Sequence, residues 1–211
     1  MPEKYRTTIK TFNAVADKYL AYFKDFTVYQ PTYDCFLTAL NSNHQNLLEL
    51  ACGPGQVSHY LLKHNQSLKI HGIDLAPRMI QLAQQLNPTA SYAVMDCRDI
   101  KKLKQKYDAI MCAFCLPYLS DADTQQLLCD MVSLLNKGGI LYISISQGDA
   151  ADNGYQYSDT SAGAVYVHYH DIDWIRKQLS YLGMTITAHD RIEHIHHGET
   201  ITDVFLLAKK C

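Results

Sequence analysis

The chain has 211 residues, 47% of them hydrophobic, and a formal net charge of -2. That length supports one well-buried core and is short for two, and so balanced a charge offers polyanions such as nucleic acid no long-range attraction. No run approaches the ~20 apolar residues of a membrane span, "MPEKYRTTIK" lacks a signal peptide's apolar stretch, and seven cysteines, an odd number with Cys52, Cys112 and Cys115 inside apolar strand-like runs, suit reduced thiols, so a cytoplasmic protein is expected.

The first predicted element is a helix, "IKTFNAVADKYLAYFKDF", amphipathic and rich in tyrosine. From "NLLELACG" onward, short apolar runs alternate with amphipathic ones, which predicts an α/β chain. The strand "LLEL" breaks at "CGPG" and resumes as the helix "QVSHYLLKHN". Strand "LKIHGIDL" leads into helix "PRMIQLAQQL", with Pro77 suited to a first turn, and strand "SYAVMD" follows. The basic cluster "KKLKQK", Lys101 to Lys106, alternates with polar residues and reads as a solvated face. Next come strand "YDAIMCAF", helix "DTQQLLCDMVSLLNKGG", expected to end at Gly138 and Gly139, and strand "ILYISIS". Gln147 to Tyr166 is the one long polar stretch, of the kind that forms binding loops. Helix "DIDWIRKQLSYLGM" stops near Gly183, and "TITAHDRIEHI" and "TITDVFLLAKK" flank the turn "HHGE" as a β-hairpin. Strands this continuously apolar predict a doubly wound, mostly parallel sheet covered on both faces, closed by a C-terminal antiparallel hairpin.

In such a sheet, ligands bind outside the carboxyl ends of the strands where strand order reverses. Gly53 and Gly55 let the backbone turn tightly and let a ligand approach main-chain N–H groups at a helix N-terminus. A glycine pair at a turn is also compatible with a purely structural role. Glu49 is an acid in an otherwise apolar strand end and is expected to meet a cation or a donor there. Asp74 closes the second strand, where a carboxylate can accept both hydroxyls of a ribose.

"LELACGPG", "GIDLAPRMIQLAQ", "AVMDCRDI", "YDAIMCAFCLPYL" and "LLNKGGILYIS" resemble, in order and spacing, the successive motifs of class I S-adenosylmethionine-dependent methyltransferases of the small-molecule type. The resemblance covers about residues 46 to 146 and implies a Rossmann-like fold. It also implies S-adenosylmethionine as cofactor, S-adenosylhomocysteine as product, and a small-molecule O or N acceptor. Glu49, Ala51, Gly53 and Gly55 would surround the methionine part, Asp74 and Leu75 the ribose, and Asp96 with Cys97 the adenine. Met79 would pack on the adenine or ribose, and Ala113 with Phe114 would border the amino-acid end. The family usually has glycine where Ala51 stands. Asp96 also reads as a helix N-cap before "CRDI".

By the same resemblance, residues 1–211 form one domain: an N-terminal helical lid over 1–40, a cofactor-binding core over 46–146, an active-site loop over 147–170, and a C-terminal helix with hairpin over 171–211. If the acceptor requires a base, His168 and His170 in "VYVHYHDID" alternate with Tyr169 and could face one way; both could equally be structural. Tyr19 is the preferred pocket residue of the N-terminal helix. "CLPYL" fails the Asn-Pro-Pro-Tyr pattern of nucleobase and glutamine methyltransferases, and leaves Tyr118 as a pocket wall. "HDRIEHIHHGE" matches no zinc spacing and is expected at a turn far from the cofactor, so no metal is expected. A dinucleotide-dependent oxidoreductase stays open as an alternative, although Ser58 occupies the third glycine position of that fingerprint, as does a binding domain without turnover. The oligomeric state is left open.

Overall fold

A computed structural model describes residues 1–23, 26–157, 163–196 and 198–211. Helices α1 (Glu3–Phe23) and α2 (Gln30–Ala39) precede strand β1 (Asn46–Leu50), α3 (Gln56–His64), β2 (Lys69–Asp74), α4 (Pro77–Leu86) and β3 (Ser91–Val94). The chain continues through β4 (Tyr107–Ala113), α5 (Asp121–Leu134) and β5 (Leu135–Ser146). A short pair follows, β6 (Gly154–Tyr157) with β7 (Ala164–Val167), then α6 (Ile172–Tyr181), β8 (Met184–His196) and β9 (Glu199–Lys210).

Seven strands form one sheet in the order β3-β2-β1-β4-β5-β9-β8, with β9 antiparallel to β5 and to β8 and the other pairs parallel. The chain runs outward from β1 to β3 and returns to start again at β4, so the order reverses between β1 and β4. One face buries Leu48, Leu50 and Ile110 with α5 and α6, and the other buries Leu47, Met111 and Tyr142 with Phe36 of α2 and Leu61 of α3. Strands apolar on both faces therefore follow from helices on both faces.

Three expectations need adjustment. Helix α5 stops at Leu134, before the glycines, because Leu135 is already extended and pairs with Tyr107. Gly138, at φ +79°, instead forms the irregularity after which Ile140 pairs with Ala109. The polar stretch from Gln147 is partly structured, since β6 and β7 pair antiparallel as a flap; residues 158–162 lie outside the described residues. In the N-terminal segment, α2 packs into the body of the domain through Phe36 and also walls the larger cavity through Gln30 and Tyr33, while α1 roofs the smaller one.

The hairpin holds the largest correction. β9 runs antiparallel to β5, so it begins where β5 ends, and Asp203 pairs with Ser146. The β8–β9 turn therefore lies on the carboxyl side of the sheet, near the crevice and not far from it. His197 of that turn and the side chain of His196 lie outside the described residues.

Candidate active site

Two cavities meet at the reversal point. The smaller, of ≈ 150 Å³, lies under α1 at the ends of β1, β2 and β4. The larger, of ≈ 1090 Å³, opens between α1, α2, the flap and the β8–β9 hairpin. Tyr19, Ala51, Gly53, Ala113, Phe114 and Tyr118 belong to both walls and mark the junction.

The backbone at the junction is shaped for close approach. Ala51 (φ 49°) and Phe114 (φ 51°) are the non-glycine residues in the left-handed region among those described, and each follows one of the two strands flanking the reversal. A side chain held there costs free energy, so the surrounding hydrogen bonds must fix it. They do: Cys52 N donates to Ile73 O at 2.9 Å, and Phe114 N donates to Ser144 O at 3.0 Å. Gly53, at φ +52°, has no atom within 4 Å of the place a Cβ would occupy, so its bare face adjoins free space. Gly55, at φ +81°, lines neither cavity. A Cβ there would meet Asn87 Nδ2 at 2.7 Å, so this glycine serves the packing of α3 on α4.

Three carboxylates surround the crevice, each in a different state. Glu49 is 2% exposed and accepts from Ser58 Oγ, and burial pushes its carboxyl up to about 8 despite that bond. The expectation of a donor is met, but no described cation lies on it. Asp74 accepts from Gly53 N at 3.0 Å and Ala76 N at 2.8 Å; burial still raises its pKa. Asp96 caps the 3-10 turn Cys97–Lys102 and holds the Arg98 guanidinium through two of its nitrogens. Burial alone would raise Asp96; Arg98 overturns that and holds it below the usual range. The N-cap reading of Asp96 is thus realised, with the carboxyl still on the cavity wall.

Of the other cofactor positions, Leu75, Met79 and Cys97 line the smaller cavity, and Glu49 lines the larger beside the junction. α1 supplies the roof through Tyr5, Thr8, Ile9 and Phe12. Tyr19 stands at the junction with its hydroxyl pushed up to about 12 by burial. His168 and His170 line neither cavity: both turn to Asp121, while Tyr169 between them lines the larger one.

A cluster on the larger wall went unforeseen. Tyr29 donates to Asp203 Oδ2 at 2.6 Å, and His194 Nε2 lies 2.9 Å from the same oxygen. A carboxylate only accepts, so Nε2 carries the proton and His194 Nδ1 keeps a free lone pair. Nδ1 and Asp203 Oδ1 are both buried, with no hydrogen-bond partner among the described residues. Tyr29 also packs against Phe114 at the junction, ring centroids 4.9 Å apart, so the cluster adjoins the smaller cavity. One signal was legible: Asp203 in "TITDVFLLA" is, like Glu49, a lone acid in an apolar strand.

The family model described as "Methyltransferase domain" matches residues 47–139. A trans-aconitate 2-methyltransferase of Enterobacter sp. (strain 638) is 31% identical over 100 residues, 47% of this chain and 38% of that protein. The chain spans about two fifths of the length of curated relatives it matches. Among solved structures, a magnesium protoporphyrin IX methyltransferase from Synechocystis PCC 6803 with bound S-adenosylhomocysteine superposes with a TM-score of 0.75 at 17% identity, covering 99% of this chain and 100% of that one. The N-methyltransferase NodS from Bradyrhizobium japonicum WM9, with the same product bound, gives 0.69 at 20% identity, covering 95% and 98%. These two likenesses establish the fold.

Proposed function

Residues 47–139 belong to the methyltransferase-domain family, and from that premise we propose that the chain is a class I S-adenosylmethionine-dependent methyltransferase acting on a small acceptor held in the larger cavity. The observation that carries this reading is convergence: residues from the ends of β1, β2 and β4 and the turn after β3 share one cavity, which opens at Ala113 and Phe114 into a second. The donor set fits the cofactor. Glu49 is a buried carboxylate in need of a cation, which an ammonium group supplies. Asp74 has one backbone N–H on each oxygen, leaving lone pairs for two ribose hydroxyls. Leu75, Met79 and Cys97 give the adenine an apolar slot.

When bound, the cofactor supplies an activated methyl group. The protein's task is then alignment and exclusion of water, which can account for ~7–11 kcal/mol of a barrier. α1 covers the smaller cavity, and Phe23, Phe26, Tyr29 and Tyr33 make the acceptor wall largely aromatic. Such a wall suits a flat, apolar molecule. The His194–Asp203 pair stands among the polar groups of that wall, and we assign it the removal of a proton from a hydroxyl or amine, after a turn of the ring that brings the buried Nδ1 to the cavity, a task the sequence suggested for His168 or His170. Calorimetric titration with S-adenosylhomocysteine and, separately, NAD tests the cofactor: tight binding of the first alone is expected, and tight binding of NAD alone overturns the reading. Turnover against a panel of aromatic hydroxyl and amine acceptors separates an enzyme from a domain that only binds.

A further inference from the structure

Away from both cavities, Asp121, His168 and His170 bring one ligand atom each within 4.8 Å of one another, the one such group of three or more His, Cys, Asp or Glu among the described residues. Asp121 Oδ1 lies 3.0 Å from His168 Nε2 and 3.1 Å from His170 Nδ1. The other nitrogen of His170, Nε2, lies 2.9 Å from the Leu116 carbonyl oxygen. A carbonyl cannot donate, so Nε2 carries the proton, and a neutral ring then aims the Nδ1 lone pair at a carboxylate oxygen. Two acceptors face each other, and something positive must stand between them.

We infer that Asp121, His168 and His170 form a zinc site that fastens the root of the flap to the start of α5. Two imidazoles and a carboxylate are a donor set this ion takes, and a tetrahedral ion with bonds of ~2.0–2.2 Å holds its ligand atoms about 3.3 Å apart. The observed contacts need open only slightly, and Asp121, 67% exposed at its side chain, is free to yield and leaves room for a water as fourth ligand. His170 is set in advance: its side chain is fully buried, a carbonyl holds its outer nitrogen as is usual for ligating histidines, and Trp174 stacks on it with centroids 6.4 Å apart. The consequence reaches the acceptor wall. His168 N donates to Pro117 O at 2.7 Å, and Tyr169, turned the opposite way from its two neighbours, lines the larger cavity and accepts from Gln156 Nε2 at 2.9 Å.

The site does not depend on methyl transfer, and its test needs no acceptor. Trp174 is the only tryptophan of the chain, so its fluorescence reports on His170. Titrating the chelator-stripped full chain with Zn²⁺ should change that fluorescence to saturation at one ion per chain. It should also raise Tm by on the order of 5–10 °C at a hundredfold excess over Kd, while Mg²⁺ does neither. His168→Asn and Asp121→Asn should each weaken binding at least about tenfold; Asp121 is exposed, so its variant is expected to fold. No fluorescence response in the unaltered chain would mean that a proton joins the pair, and the inference falls. A response kept by both variants would place zinc on other side chains and overturn the inference as well.

Discussion

The two cavities differ in how the chain builds them. The walls of the smaller come from α1 and from the turns after β1, β2, β3 and β4, so that apart from its roof they lie within a single run of about seventy residues (51–119). The larger draws on α1, α2, the strand ends, the flap and the terminal hairpin, with Tyr29 hydrogen-bonded to Asp203 across 174 residues of sequence. Adjacent loops of a doubly wound sheet are held in register by the sheet itself, so the first cavity is specified locally. The second exists only once segments distant in sequence have docked, and it is the part free to vary with the acceptor.

That contrast breaks most visibly on the acceptor side. His194→Asn or Asp203→Asn should lower turnover ~10²–10⁴-fold, the usual range for a lost general base, with S-adenosylhomocysteine affinity unchanged in calorimetry. Parallel losses of turnover and affinity would show that the cavities are not independent. Asp74→Ala should do the converse, weakening the cofactor by at least about 10²-fold through the loss of two hydrogen bonds worth ~1.5–3 kcal/mol each. It should also lower Tm, because Gly53 N and Ala76 N lose their acceptor.

A graded effect sharpens the comparison through pH. Burial raises Glu49 to about 8 in the folded chain, so between roughly pH 4.5 and 8 the folded state retains a proton that the unfolded chain has released. Stability of the free protein should therefore fall as pH rises through that window, and Glu49→Gln should flatten the profile in thermal melts. Cofactor binding should follow the opposite course: an ammonium favours the ionised carboxyl, so affinity climbs toward pH 8 by up to about tenfold per unit, and does not in Glu49→Gln.

The sequence disclosed the two cavities unequally, for the same reason. Glu49, Gly53, Asp74 and Asp96 stand at strand ends or turns within a regular alternation, where type and position together limit the roles available. Gly55 was ambiguous in sequence because a positive φ serves packing on Asn87 as well as ligand approach. His168 and His170 were legible as a pair facing one way, and they do, with ring centroids 4.6 Å apart. Which way cannot be read from alternation, since period two fixes the face and not what lies beyond it. His194 was missed because placing it required knowing that β9 enters the sheet antiparallel beside β5.

The bond between α1 and the flap reaches into the timing of turnover. Buried Thr11 donates to Ala164 O at 2.7 Å, and Tyr166 N donates to Thr8 Oγ1 at 2.9 Å, so the roof of one cavity and a wall of the other are joined. α1 is in turn anchored to α4, where Arg78 meets Asp17 at 2.6 Å and Arg78 N donates to Asn13 Oδ1 at 2.8 Å. α1 cannot lift from the smaller cavity without also disturbing the flap, whereas the larger cavity can empty with the roof in place. Under the proposed function the expected order is therefore sequential: the methylated acceptor departs first, and S-adenosylhomocysteine is the last to leave. Product-inhibition kinetics read this directly, with S-adenosylhomocysteine competing against S-adenosylmethionine and the methylated product failing to.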